Sequence, residues 1–275
     1  MPYSNLTFTV DTNLSFQPND FVQLVGTFLS TTTTTTTAAP TTTTSTTTTT
    51  TTLNVISSGL HLYVDASNPA SYSGTGSTWF DLSGNGYNGT LSGSTAYSSL
   101  NGGYISTQSS TGYIDFGLSS AGSSTSAFTW GGWFNVPSFT NIPMTRGGGT
   151  DSFPNGWNLA TVFLSTAFNG SIITSVPGIT QTNASYVSSP SSGVWYNHIC
   201  VWNPGVSIKV YINGILRATQ NTSNTVLRTS SQGWNTSIDG TKTNQSYGSM
   251  IVYTTALSDA DVLQNFNSTK TRFGY

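Results

Sequence analysis

Hydrophobic and polar positions alternate with a period of two along much of the chain, the pattern of strands that bury one face. From Trp195 to Gln220, Ile199 and Val201 fall on one face and His198, Cys200 and Trp202 on the other, while Ile208, Val210 and Ile212 alternate with Lys209 and Tyr211. Asn203-Pro204-Gly205 and Asn213-Gly214 separate these runs, and Asn-Gly best tolerates the two positive φ angles of a type I′ hairpin turn. An antiparallel meander is predicted. Leu60, Leu62 and Val64 alternate in the same way with His61 and Tyr63. Near the C-terminus the period changes: Ser258 is an N-cap, Asp259 and Asp261 suit a first turn, and Val262, Leu263 and Phe266 share one face, which predicts a short helix over Ser258 to Asn267.

The first thirty residues read as short strands. Leu6, Phe8 and Val10 alternate with threonines, Asp11-Thr12-Asn13 turns, Leu14 and Phe16 follow, Pro18-Asn19-Asp20 turns again, and Phe21 to Val25 is apolar. A segment of this size without disulfide or metal buries too little to stand alone, so residues 1–30 are expected to complete a core on copies of the chain, most simply three, or on another protein. Residues 31–52 are threonine interrupted only by Ala38, Ala39, Pro40 and Ser45. β-Branching favours extended backbone, giving a spacer of up to about 70 Å, either disordered or an ordered stalk. Residues 53–275 form the main domain.

Composition narrows the class. Only 6% of the 275 residues are charged and glutamate is absent, so Thr, Ser, Asn and Gly keep the surface wet and helix formers are scarce. The fold class expected is all-β, a two-sheet antiparallel jelly-roll sandwich. A net charge of -2 with scattered Lys and Arg supplies no basic patch, so nucleic acid is excluded as a partner. Cys200 is the only cysteine, which rules out an intrachain disulfide. The N-terminal residues show no signal-peptide pattern and no stretch has the length of an apolar span, so synthesis in a cytoplasm without membrane insertion is expected.

Trp79, Asp81, Ser83, Gly84, Asn85, Gly86, Gly89 and Leu91 together read W-x-D-x-S-G-N-G-x-x-G-x-L. This resembles the signature of laminin-G-like (concanavalin A-like) jelly rolls of bacterial and phage surface proteins. Phe128 to Phe134 resembles the family's f-T-x-x-x-W strand, Gly193 to Gly214 its g-x-W-x-H hairpin ending in Y-x-N-G, and Ser237 to Tyr275 its closing strand and helix. The resemblance spans roughly residues 57–275 and is loose over Met144 to Ser192. FTVDTNLSFQPNDFVQL at the start resembles small modules of bacteriophage fibre proteins. The resemblances imply a virion fibre or decoration protein that attaches to capsid or tail proteins through residues 1–30 and contacts host-surface glycans. The alternatives are a purely structural decoration protein and a bacterial cell-surface adhesin.

Related sandwiches hydrolyse glycans with a glutamate pair, which this chain lacks, and no strand holds two aspartates two residues apart. A non-enzymatic role is expected. His198 and Cys200 share a strand face but belong to its core. Asp81, Asn85 and Asp239 are candidate oxygen donors to Ca2+ at a sandwich rim, against the alternative that Asp81 simply holds the turn. Among the seven Trp and thirteen Tyr, Trp79, Trp130, Trp133, Trp195 and Trp202 are assigned to packing. Tyr72, Tyr87, Trp157 and Trp234 lie among Gly, Ser and Asn and are the candidate saccharide platforms.

Overall fold

The structure, a computed structural model, describes residues 31–33, 46–48, 54–108, 111–117, 126–135, 141–147, 157–164, 166–176, 180–227, 233–236 and 244–275. The chain divides into two compact units, Met1–Thr52 and Leu53–Tyr275. In the first, β1 (Thr31–Thr33) pairs antiparallel with β2 (Thr46–Thr48), Thr32 lying opposite Thr47. β-Branched residues suit such a paired strand as well as a lone extended one. The predicted module of residues 1–30 lies outside the described residues.

The second unit carries seventeen of the strands. These are β3 (Leu60–Asp65), β4 (Thr78–Trp79), β5 (Gly89–Ser92), β6 (Thr95–Ser98), β7 (Tyr104–Thr107), β8 (Tyr113–Asp115), β9 (Phe128–Asn135), β10 (Asn141–Gly147), β11 (Trp157–Leu164), β12 (Ala167–Val176), β13 (Thr180–Val187), β14 (Trp195–Asn203), β15 (Ser207–Ile212), β16 (Ile215–Asn221), β17 (Val226–Leu227), β18 (Trp234–Asn235) and β19 (Gln245–Tyr253). One sheet has nine strands, in the order β13-β12-β11-β10-β18-β8-β5-β4 with β17 joined to β12. The other has eight, in the order β16-β15-β14-β9-β19-β7-β6 with β3 joined to β19. All the pairings are antiparallel. The all-β sandwich is as expected.

The main core lies between the sheets. Trp79, Leu91, Ile114, Met144, Leu159, Ile172 and Trp234 from the nine-stranded sheet meet Leu62, Val64, Phe128, Trp130, Cys200, Trp202 and Val210 from the other. The eight-stranded sheet is buried on its second face too, where Ile199, Val201, Tyr211, Ile251 and Tyr253 pack with Leu257 and Val262. Val262 belongs to α1 (Asp259–Thr269). Two buried faces explain why β9 and β14 read as nearly continuous apolar runs. Gly131 and Gly132 sit where β9 is flanked by β14 and β19, and a Cβ on Gly131 would come within 2.0 Å of the His198 carbonyl oxygen.

The meander forms as its periodicity predicts, with Asn213 (φ 55) and Gly214 (φ 75) in the turn. The Ser258 cap is a full capping box, in which Asp261 N–H donates to Ser258 Oγ (3.2 Å) and Ser258 N–H to Asp261 Oδ2 (3.1 Å). Helix α1 runs to Thr269, two residues beyond the predicted Asn267, and a 3-10 turn over Lys270–Phe273 follows. Trp133 stacks on Phe273 with ring centroids 4.2 Å apart and donates its indole N–H to Thr269 Oγ1 (2.8 Å), locking the chain's end onto the sheet.

Candidate functional site

The glycine-rich loop after β4 runs along the edge of β3 and replaces a neighbouring strand. Tyr63 N–H donates to Asp81 Oδ1 (3.0 Å) and Leu82 N–H donates to the Tyr63 carbonyl (2.7 Å). His61 is the extra residue of a bulge, since the pairing to β19 passes from Leu62 opposite Val252 to Leu60 opposite Tyr253. Its carbonyl accepts from Ser83 Oγ and Asn85 Nδ2, each at 3.0 Å. Asp81 also accepts from Ser83 N–H (2.9 Å), Ser83 Oγ (2.6 Å) and Tyr87 N–H (3.1 Å). Four donors fill the lone-pair positions of the carboxylate. The Asp81 carboxylate and the Asn85 amide nitrogen thus close a sheet edge, the turn-holding alternative to a calcium site at Asp81 and Asn85. Asp239 lies outside the described residues, among which no three His, Cys, Asp or Glu side chains gather.

Two of the four aromatic candidates are buried. Tyr72 is 6% exposed, donates its hydroxyl to the Gly76 carbonyl (2.8 Å) and lies beside Tyr97. Trp234 is fully buried, 6.5 Å from Trp130 between ring centroids. Its polar neighbours suggested a loop, but they form a two-residue strand inserted between β8 and β10. Trp157 opens β11 opposite Gly147, and its side chain lies outside the described residues. Tyr87 is half-buried, with one ring face 4.5 Å from His61. The five tryptophans assigned to packing are all buried.

His198 and Cys200 are buried, with the thiol sulfur 3.6 Å from His198 Nε2. Burial pushes the imidazole down to about 3 and the thiol well up, so the pair stays neutral. A nucleophilic cysteine needs the thiolate, and this one is core packing.

What the structure brings together is a row of positions, polar but for Ala160, across eight strands of the nine-stranded sheet. In register, Thr78 lies opposite Thr90, Thr90 opposite Asp115, Asp115 opposite Asn235, and Asn235 opposite Thr145. Thr145 then lies opposite Ala160, Ala160 opposite Ser171, and Ser171 opposite Asn183. Each is the sequence neighbour of a core residue, from Trp79 and Leu91 at one end to Ile172 and Ala184 at the other. The row therefore faces away from the core.

Thr145 Oγ1 donates to Asn235 Oδ1 (2.8 Å), and Asn183 Oδ1 accepts from both Ser171 Oγ (2.6 Å) and Gln181 Nε2 (3.1 Å). Asn169, two residues from Ser171 on the same face, keeps a buried Oδ1 without a partner. The middle of the row is buried, while Thr90 and Asp115 at one flank and Asn183 at the other are exposed. At the first flank Tyr113 and Ser92 lie opposite each other, one alternation from Asp115 and Thr90. Asp115 Oδ1 accepts from Gly117 N–H (2.8 Å). Two hydroxyl side chains, a carboxylate and a half-buried tyrosine ring thus share one open polar flank.

The sequence matches no protein-family model. No curated protein matches it either, so the laminin-G-like resemblance stands on the residues that carry it. Solved structures share the fold. The receptor binding domain of botulinum neurotoxin C/D mosaic serotype superposes with a TM-score of 0.59 at 13% identity, over 77% of this chain and 52% of that one. The binding domain of Paraclostridial Mosquitocidal Protein 1 gives the same values. A structure of botulinum neurotoxin type C, whose cell entry is dependent upon interaction with two ganglioside molecules, gives 0.57 at 15% identity over 78% of this chain and 52% of its own. The chain spans about half the length of the structures it matches. The shared fold is a two-sheet antiparallel β-sandwich.

Proposed function

We propose that the chain is a non-catalytic adhesion protein whose sandwich binds surface glycans on the open flank of the nine-stranded sheet. The observation that carries this reading is the cross-strand row from Thr78 to Asn183, with Thr90, Ser92, Tyr113 and Asp115 grouped at its exposed flank. Hydroxyls and a carboxylate match the hydrogen-bonding capacity of sugar hydroxyls, and an aromatic ring with a polar edge gives a saccharide an apolar face to lie on. The shared fold with receptor-binding domains supports a binding role.

The setting proposed is the surface of a bacteriophage particle. The first thirty residues attach several copies of the chain, three in the simplest case, to capsid or tail proteins, and the threonine-rich tract joins them to the sandwich. This part rests on the sequence resemblances. A single shallow sugar site has a Kd of about 1 mM, about -4 kcal/mol, so useful adhesion comes from many copies acting together. The test is retention of the full chain by host cells and by polysaccharide extracted from them. Retention that free saccharide competes away is expected. A folded chain that binds no glycan, from particles that become fragile without it, would make it a structural decoration protein instead.

A further inference from the structure

We infer that this face selects neutral glycans over anionic ones, with Asp115 as the residue that sets the selection; the inference rests on the glycan-binding reading above. Among the described residues on the outward face of the nine-stranded sheet, Asp115 is the one charged side chain. The described cations are all placed elsewhere. Arg146 occupies the inward side of β10, its guanidinium carbon 5.3 Å from the Phe128 ring centre. Lys209 pairs with Asp259 (2.9 Å) and Arg272 with Asp65 (2.7 Å). Arg217 lies over Tyr186 and Lys270 over Phe266, each at 5.4 Å.

A sialyl, uronic or phosphoryl group docking at Thr90 and Tyr113 would surrender part of its hydration with no cation among the described residues to offset the loss. It would also meet a carboxylate on the neighbouring strand position. One oxygen of Asp115 is held by Gly117 N–H, which leaves the other to accept from a sugar hydroxyl. The charge therefore helps a neutral polyol and opposes an anion, and the same atom does both.

The experiment uses the full chain on an array of neutral hexose and N-acetylhexosamine glycans beside sialylated, uronic and phosphorylated ones, read at low and high salt. Wild type is expected on the neutral set. Asp115→Asn should raise the ratio of anionic to neutral signal about fivefold at low salt, and added salt should narrow that difference because it screens an exposed charge. Equal or stronger wild-type binding to anionic glycans, or a ratio unmoved by Asp115→Asn, overturns the inference while leaving glycan binding intact. A folded chain that binds neither set removes the glycan reading itself, and the inference with it.

Discussion

Arg272 Nη1 donates to Asp65 Oδ1 at 2.7 Å, tying the last turn of the chain to the end of its first sandwich strand across 207 positions. The pair is nearly closed to solvent, with side chains 14% and 9% exposed, and Asp65 also accepts from Ser67 N–H and Oγ and from the Tyr63 hydroxyl. Removing one partner of a buried pair leaves the other charge uncompensated. Arg272→Ala should therefore destabilise the sandwich by about 3 kcal/mol, measured from the urea midpoint and slope. A loss below about 1 kcal/mol would show that the charge is solvated after all.

Asp81 makes a second prediction. Its carboxylate receives four donors, so the loop is expected to hold without a cation. Calcium and chelator should leave the melting temperature unchanged, whereas Asp81→Ala should lower stability by about 2 kcal/mol or more by freeing the Tyr63 N–H at the edge of β3. A melting temperature that rises with calcium would restore the rim site.

The acid limb of stability follows from His198. The unfolded chain binds its proton up to about pH 6.5, whereas burial lowers the folded value to about 3. Between these values the unfolded state holds more protons, so stability is full above pH 6.5 and declines as the pH falls, by about 1.4 kcal/mol per unit for this group. Burial lowers His61 as well, which adds in the same direction. Urea midpoints between pH 7 and 4 should show this slope, and a folded His198→Asn variant should show a shallower one. An unchanged slope would assign the acid limb to other groups.

The strands legible in the sequence were those long enough to show a period. Ile199 and Val201 against Cys200 and Trp202 gave both faces of β14, and Asn213-Gly214 gave the turn after β15. The W-x-D-x-S-G-N-G stretch was legible as a built loop, but its purpose depended on the bulge at His61, which no local pattern marks. Trp234 was misplaced because a two-residue strand shows no alternation. The polar row was not legible at all. Its members come from eight strands whose spatial order departs from chain order, and each is an ordinary Thr, Ser, Asn or Asp, with Ala160 among them, until the register sets them side by side.

Glycan is proposed to bind the outward flank at Thr90, Ser92, Tyr113 and Asp115. The most direct measurement compares the affinity of folded Tyr113→Ala and Asp115→Ala full chains for host polysaccharide with that of the wild type, alongside Tyr87→Ala. A loss of about tenfold is expected for each of the first two, with melting temperature kept and Tyr87→Ala near wild type. Undiminished binding in both flank variants, or a loss confined to Tyr87→Ala, would contradict it.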